Sequence, residues 1–351
     1  MAVLSLTSSQ FGPRLLRGFL KDTGSQVVLG TFIGTFLYAL LVLRPVRSTD
    51  ASDFVPHLSV TFALVLALVS IVMLVYFIQH TVASIQASQI IAAAGAELVD
   101  SIDRLYPEEI GAAAPRESAF ESVSGAWAEV RADRSGYLQA VDGEALLELA
   151  HERDGFVQLL RMPGEFVPAG TVVARLSPQE RSIDELDSQI NDALSLGLHP
   201  TQVQDLLFAV NQLAEIATRA LSPGTNDPNT ALMCIDRLNE GLCRLAPRSF
   251  PSPCRADEAG TVRLWVKTPS FADVLHAAFA QIRRYGRADA QVLSRLLESL
   301  ADIASCGRDP VVRAELRRHA ELVLAESREG LSAAEAREQV AEQHRRTLPS
   351  L

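Results

Sequence analysis

Two apolar runs near the start of the chain decide its fold class: QVVLGTFIGTFLYALLVL at residues 26–43 and LSVTFALVLALVSIVMLVYFIQ at residues 58–79. A helix rises about 1.5 Å per residue, so about 20 predominantly apolar residues are needed to cross a bilayer. Gln26 is the only strongly polar residue in the first run, and neither run contains an ionised side chain. The sequence therefore predicts two transmembrane spans, with the lipid bilayer as the partner of this region.

A short polar segment at residues 44–57, with Pro45 and Pro56, separates the two runs, so we expect them to form a helical hairpin. A hairpin places both ends of the chain on one side of the membrane. The flanking basic residues are Arg14, Arg17 and Lys21 before the first span, and Arg44 and Arg47 in the loop. The excess of one basic residue favours a cytoplasmic N-terminus under the positive-inside rule.

Gly30 and Gly34 form a Gly-x-x-x-Gly pair inside the first run. Small residues four positions apart allow a second helix to approach closely. We expect these glycines to pack either against the second span or against another copy of the chain. No ionisable residue lies in the middle of either run, so the usual mark of an ion or proton pathway is missing from the spans.

The residues after the spans are polar enough to form soluble structure, and there are about 270 of them, enough for a sizeable core. The chain has a formal net charge of -10. Nucleic-acid binding depends on Lys and Arg that neutralise phosphates, so this acidic balance argues against a nucleic-acid partner.

Four cysteines occur, and their spacing matches no zinc-binding pattern: Cys234, Cys243, Cys254 and Cys306. Cys234 and Cys243 lie nine positions apart in a helical stretch, so they point to different faces. We interpret all four as free thiols in a reducing compartment, which places the soluble portion in the cytoplasm.

The soluble portion is expected to be an α+β domain in consecutive parts. A basic amphipathic segment occupies residues 1–24 and the hairpin residues 25–80. Residues 81–106 are expected to continue the second span as a helical stalk that Pro107 ends, and residues 107–125 form a linker. A β-rich module at 126–178 precedes a mainly helical region at 179–351.

The β-rich module contains short apolar runs separated by Gly, Asp and Pro turns. The predicted strands are Trp127–Arg131, Gly136–Val141, Phe156–Arg161 and Thr171–Leu176, with a helical turn at Ala145–His151. The pattern is similar in shape to the barrel-like folds of lipoyl and biotinyl carriers. Those carriers need a modifiable lysine, and this stretch contains none, which excludes a swinging-arm role.

Two predicted helices flank the loop Ser222-Pro-Gly-Thr-Asn-Asp-Pro-Asn-Thr230. One interpretation is structural: Pro and Gly end the first helix, and Asp227 with Pro228 begins the next. The other is functional: Asn226 and Asp227 form a polar pocket with Arg219 and with Asp205. We therefore name Asp205, Arg219, Asn226 and Asp227 as candidate ligand-binding residues. Later in the chain, a strand is predicted at Thr261–Lys267, and further helix starts at Ser270, at Asp309 and at a Ser332/Glu335 capping box.

No common catalytic motif is present: the chain has no Walker loop, no Gly-x-Gly-x-x-Gly, no His-Glu-x-x-His and no Gly-x-Ser-x-Gly. The histidines are scattered without metal-site spacing. The sequence therefore predicts no catalytic residue, no metal ligand and no cofactor.

Four ordered segments resemble a bacterial family of predicted membrane proteins of unknown function, DUF2254. They are Ser8-Ser-Gln-Phe-Gly-Pro-Arg-Leu-Leu-Arg17, Leu29-Gly-Thr-Phe-Ile-Gly-Thr-Phe36, Phe54-Val-Pro-His-Leu-Ser-Val60 and Arg219-Ala-Leu-Ser-Pro-Gly-Thr-Asn-Asp-Pro228. The resemblance implies a protein of the bacterial inner membrane with a cytoplasmic C-terminal region, and it implies no activity or catalytic residue. Family members carry further transmembrane helices before the first segment, so we expect either a truncated chain or a start assigned too late. An arginine that the family tends to carry before the residue matching Asp205 is replaced here by His199-Pro-Thr201.

Three functions remain open at this point. The leading hypothesis is a non-enzymatic, homo-oligomeric membrane protein that gates a pore or binds a ligand or partner. A second is a membrane-bound enzyme with a site at the Asn226–Asp227 loop. The third is a scaffold of the cell envelope.

Overall fold

A computed structural model describes residues 23–43, 47–49, 52–54, 57–84, 87–106, 127–177 and 183–351. The chain divides into two compact units, Met1–Ile90 and Ile91–Leu351. We call them the N-terminal unit and the C-terminal unit. The predicted basic segment at 1–24 and the predicted linker at 107–125 lie almost wholly outside the described residues.

The N-terminal unit contains two helices, α1 (Thr23–Leu43) and α2 (His57–Ser84), which pack against each other. Tyr38 of α1 contacts Phe62 of α2 edge to face with ring centroids 5.3 Å apart, and Thr35 Oγ1 lies 2.9 Å from Ser70 Oγ. A two-stranded antiparallel ladder lies between the helices in the chain, β1 (Arg47–Thr49) with β2 (Ser52–Phe54). These contacts hold the two apolar runs together as a helix pair.

The prediction of two membrane spans is supported for one helix. Among the described residues, α2 is the one helix long and apolar enough to cross a membrane: Leu58–Val75 has a mean hydropathy of 2.8 and is 6% buried. The apolar segment found in α1, Gly30–Leu43, is shorter. At about 1.5 Å per residue it rises about 20 Å, less than the hydrocarbon core of about 30 Å. Crossing by both helices therefore remains a prediction.

The C-terminal unit is mixed α+β and contains two sheets. The five-stranded sheet has the order β3-β7-β5-β10-β9, and the three-stranded sheet has the order β6-β4-β8. The strands are β3 (Ala128–Arg131), β4 (Gly136–Val141), β5 (Phe156–Leu159), β6 (Phe166–Val167), β7 (Val172–Ser177), β8 (Leu194–Gly197), β9 (Cys254–Ala256) and β10 (Val262–Val266). The predicted strands of the β-rich stretch correspond to β3, β4, β5 and β7.

The two sheets share one apolar core with two helices, α4 (Gly143–Glu152) and α5 (Ile183–Asp192). Leu138, Leu159, Val173 and Ile190 are fully buried in it. Strand β10 pairs in parallel with β5, with Leu264 opposite Val157, so the sheet draws strands from both sides of the predicted boundary at residue 178. Where a barrel-like module was expected, the chain forms two sheets, and each includes strands from beyond residue 178: β8 in one, and β9 and β10 in the other.

The remaining helices are α3 (Ala87–Leu105), α6 (Leu206–Ala220), α7 (Pro228–Leu245), α8 (Phe271–Tyr285), α9 (Ala290–Cys306), α10 (Pro310–Gly330) and α11 (Ala334–Thr347). Helix α7 packs on α6 and α9, α6 packs on α8, and α9 packs on α10 and α11. Three predicted helix starts are confirmed by side-chain caps from Asp227, Ser270 and Asp309. The predicted Ser332 capping box is wrong, since α11 begins one residue later, after Ala333, without a side-chain cap.

Helix α3 covers most of the predicted stalk, but from Ile91 onward it is a packed element of the C-terminal unit. Its buried residues recur at helical spacing: Ile91, Ala94, Leu98 and Ile102, and Tyr106 directly after the helix, are each at most 4% exposed. Leu98 lies so close to α7 that a Cβ added to Gly241 would be 2.5 Å from Leu98 Cδ2. An apolar stripe of this width buries itself against a neighbour, which a free stalk does not provide.

The C-terminal end of α3 is held by two arginines from α7 and the residues after it. Arg248 donates hydrogen bonds to the carbonyls of Ile102, which also accepts from the Tyr106 amide, and of Tyr106. Arg244 forms a bidentate pair with Asp103 at 2.6 and 2.7 Å, and this pairing is the main reason that the pKa of Asp103 is lowered. These bonds fix the end of α3, and with it Tyr106.

Candidate functional site

A cleft of about 750 Å³ in the C-terminal unit is the strongest candidate for a binding site. Its wall is formed by the end of α3, strands β4, β9 and β10, the start of α4 and the start of α6. Leu147, Met162, Leu206 and Leu264 supply apolar lining. Ligand pockets in proteins typically measure 300–1,000 Å³ and have mostly apolar walls with a few polar groups.

Asp205 is the buried carboxylate of the cleft. It occupies the N-cap position of α6 but does not cap that helix, and it is 8% exposed. Its carboxylate packs directly against Gly164, where an added Cβ would collide with Oδ2. Gly164 also has φ +93°, a conformation that favours glycine, so both requirements at this position exclude a side chain.

Tyr106 adds a phenol to the cleft wall next to Asp205. Its ring is 4% exposed and contacts Phe250 edge to face with centroids 5.1 Å apart. Burial, followed by the negative charges of Asp205 and Asp273, raises the pKa of Tyr106 to about 12. The phenol therefore keeps its proton at neutral pH and is available as a hydrogen-bond donor.

Arg255 is the half-buried cation of the cleft. Its guanidinium donates to two backbone carbonyls, those of Ser252 and Cys254. Burial is the main influence on its pKa, which is lowered. No described carboxylate forms an ion pair with it, although a buried cation is ordinarily paired.

Two other charged groups around the cleft have partners within the protein. Lys267 Nζ lies 3.2 Å from Glu165 Oε1, and Asp142 caps α4 by accepting a 3.0 Å hydrogen bond from the Ala145 amide. Arg255 is therefore the partly buried charged group whose placement is best explained by something that enters the cleft.

The four ligand-binding residues predicted from the sequence do not converge on one place. Asp205 precedes the first residue of α6 and Arg219 lies in its last turn. A helix of this length places them about 20 Å apart along its axis. Arg219 pairs with Glu215 of the preceding turn at 2.8 Å. Of the four, only Asp205 lines the cleft.

In the loop before α7, Asp227 and Pro228 begin the helix, as the first of the two interpretations expected. Asp227 accepts a 3.2 Å hydrogen bond from the Thr230 amide and a 2.5 Å hydrogen bond from its hydroxyl, so its carboxylate caps α7. Asn226 is exposed with φ +45° and completes the turn. The carboxylate of Asp227 is used to begin a helix.

Gly30 and Gly34 make no contact with the part of α2 whose side chains the structure describes. Both are exposed, and a Cβ added at either would meet no atom of the described residues within 4 Å. The described contacts between α1 and α2 are made by Thr35 and Tyr38, so packing of the glycines within the chain stays a prediction. Contact of these glycines with another copy of the chain likewise stays a prediction.

Two groups of the cleft were not singled out from the sequence. Tyr106 belongs to the apolar repeat of α3, one residue before Pro107, and that repeat is its only local signal. Arg255 lies on a three-residue strand next to Cys254 that no sequence pattern indicates. Among the described residues, no group of three His, Cys, Asp or Glu is placed to hold a metal ion.

The comparisons with known proteins agree with a membrane protein. Two uncharacterized proteins, from Mycobacterium tuberculosis and Mycobacterium bovis, are each 36% identical to this chain over 326 residues, 92% of this chain and 62% of theirs. The chain thus spans less than two thirds of the length of these curated relatives. No solved structure matches it. The family model described as "Predicted membrane protein (DUF2254)" matches residues 1–302, and the chain belongs to this family.

Proposed function

We propose that this protein is a membrane-anchored ligand-binding protein of the bacterial inner membrane, without enzymatic activity. The cleft of the C-terminal unit, on the cytoplasmic side, binds a small organic anion that also carries a hydrogen-bond donor. The chain assembles with further copies of itself through its apolar helices.

The observation that carries the proposal is the guanidinium of Arg255. A half-buried cation without a carboxylate partner among the described residues is costly, and its depressed pKa reflects that cost. A bound carboxylate or phosphate would supply the missing charge through charge-assisted hydrogen bonds, which are about twice as strong as neutral ones.

Asp205 and Tyr106 set the second requirement on the ligand. Asp205 accepts hydrogen bonds, so it favours an amine or hydroxyl group on the ligand, while the Tyr106 phenol donates one. Apolar residues such as Met162 and Leu147 contact the carbon skeleton between the polar groups. A small molecule with an anionic end and a donor end satisfies both sides.

The membrane part of the proposal rests on α2 and on family membership. Its apolar segment Leu58–Val75 is 6% buried, and a lipid phase is the environment that suits such side chains. Gly30 and Gly34, exposed on α1, support close helix contact between copies. No disulfide joins the described cysteines, which supports a reducing compartment such as the cytoplasm.

Ligand binding can be tested with the full chain in detergent micelles. Calorimetric titrations would compare succinate, glutamate and glycerol phosphate with a neutral probe, glycerol. We expect at least one anion to bind and Arg255→Gln to weaken it about 10- to 100-fold, since a hydrogen bond to a charged group contributes about 1.5–3 kcal/mol.

Arg345→Gln is the matched control, because Arg345 is an exposed arginine on α11 that pairs with Glu338 and Glu342. It should bind like the unsubstituted chain. Equal binding by Arg255→Gln, or no binding of any anion, would contradict the cleft as an anion site. A protein that stays monomeric in micelles, measured by light scattering, would contradict the oligomeric part separately.

A further inference from the structure

Helices α7 and α9 bring two cysteines together at one end of their interface, Cys243 and Cys306. One turn before them, Asn239 Nδ2 of α7 donates a 2.8 Å hydrogen bond to Asp302 Oδ2 of α9. Just beyond them, a Cβ added to Gly307 would lie 2.9 Å from the carbonyl oxygen of Ala246. The two backbones therefore approach closely on either side of the cysteine pair.

The two thiols differ in their access to solvent. Cys306 is exposed at the end of α9, whereas Cys243 is half-buried. The Cys243 thiol lies 3.5 Å from Asn239 Oδ1 and also interacts with the thiol of Cys306. Burial, followed by Cys306 and Asp302, raises the pKa of Cys243 to about 12. Cys234 and Cys254 are buried, at 0% and 1% exposure, so neither competes for a reagent in solution.

We propose that Cys243 and Cys306 are a redox-sensitive dithiol that closes to an intramolecular disulfide when it meets a small-molecule disulfide such as oxidised glutathione. The reaction converts two protein thiols and one small disulfide into one protein disulfide and two small thiols. The protein pair loses two electrons and two protons, and the small disulfide gains them.

Exposure sets the order of the two steps. The thiolate of Cys306, the accessible group, attacks one sulfur of the small disulfide, forms a mixed disulfide and releases the first small thiol. Cys243 then gives up its proton and attacks the Cys306 sulfur, which forms the internal bond and releases the second small thiol. The high pKa of Cys243 makes this second step the slower one, because only the thiolate attacks.

The internal disulfide would restrain the unfolded chain, because it closes a loop between residues 243 and 306. Loops of this length give disulfides a large effect on thermal stability in the chain-entropy description. We therefore expect the oxidised protein to unfold at a higher temperature than the reduced protein, and the difference to disappear in Cys243→Ser.

The test uses the full chain in micelles, reduced, freed of reductant and incubated with oxidised glutathione before mass spectrometry. The unsubstituted chain should lose two hydrogens, retain no glutathione and yield a peptide pair linked between residues 243 and 306. Cys243→Ser should stop at one glutathione on Cys306, and Cys306→Ser should stay unmodified.

Cys234→Ala is the matched control and should form the same internal disulfide. Glutathione retained on Cys306 of the unsubstituted chain would overturn the proposal, as would a disulfide-linked dimer through Cys306. Because the mass of the unsubstituted chain decides the outcome, a variant that fails to fold does not weaken the test.

Discussion

The two units use the same apolar residue types in opposite ways. In the described part of the N-terminal unit, 18 large apolar side chains are exposed, while the far larger C-terminal unit exposes five. In the C-terminal unit, apolar residues recur at helical or strand spacing and face a core, as at Leu206, Val210 and Leu213. In the N-terminal unit they cover the helices on all sides. The difference shows that periodicity, and not apolar content, separates a helix with a protein core from a helix that needs a lipid phase.

The largest effect on stability is expected from a substitution in the core of the C-terminal unit. Leu213→Ala, at 0% exposure in α6, should lower the free energy of unfolding by about 2–5 kcal/mol, because it leaves a cavity. Urea unfolding of the full chain in micelles, followed by near-ultraviolet circular dichroism, measures the loss. Val311→Ala, at 71% exposure, should change little. Equal effects of the two substitutions would mean that α6 does not pack as described.

A charge on the exposed face of α2 tests the other unit. Leu68→Arg, at 58% exposure, should cost about 2.5–3.5 kcal/mol of membrane insertion if this face contacts lipid. Alkaline carbonate extraction of membranes would then release more of the variant than of the unsubstituted chain. Leu198→Arg, at 85% exposure in the C-terminal unit, should leave extraction unchanged. Full retention of Leu68→Arg would contradict a lipid contact at this residue.

The polar interior of the C-terminal unit makes it sensitive to acid. Burial, followed by Arg283, Arg318 and His276, lowers the pKa of His319 to about 3, and no described group hydrogen-bonds its Nε2. Below about pH 6.5 the unfolded chain binds a proton that folded His319 does not, so stability falls as the pH drops from about 6.5 towards 3. The loss should reach about 2 kcal/mol near pH 5.

Urea unfolding near pH 7.5 and near pH 5 measures this loss. His319→Leu should remove most of the difference between the two conditions, because leucine does not titrate. His199→Asn changes an exposed histidine and should keep the difference. An unchanged difference in His319→Leu would assign the acid sensitivity to another group.

The smallest effect is expected at the loop before α7. Asp227→Ala should destabilise the protein by about 1 kcal/mol, because it removes the cap of this helix. Asn226→Gly should cost little or nothing, since Asn226 already has a positive φ. Urea unfolding measures both. Anion binding in the cleft should be unchanged in both variants; a loss of binding would return this loop to the candidate site.

Local chemistry explains which predictions from the sequence held. Asp227 with Pro228, and Ser270 with Asp273, specify helix starts within four residues, so tertiary packing did not override them. A short run between turn residues likewise predicted β4 at Gly136–Val141, the bounds that the strand has. The Ser332 motif failed because a capping box also requires the helix to begin at the next residue, and α11 begins one residue later.

Of the three main polar residues of the candidate site, the sequence predicted one. Asp205 was named from the sequence, but with partners at the other end of α6. Tyr106 and Arg255 reach it from α3 and β9, about 100 and 50 positions away, and no local pattern indicates that approach. A cleft is built from contacts between distant segments, so its membership follows from packing.

The sequence by itself determined an apolar helix at 58–79, the main helices and strands of the C-terminal unit, and four cysteines without zinc spacing. These properties depend on residues within a few positions of one another. Only the tertiary structure decided that β10 joins β5, that Asp205 lies near Tyr106, and that Cys243 lies next to Cys306. Each of these depends on which distant surfaces pack together. That packing is favoured by the total apolar area that the whole chain removes from water.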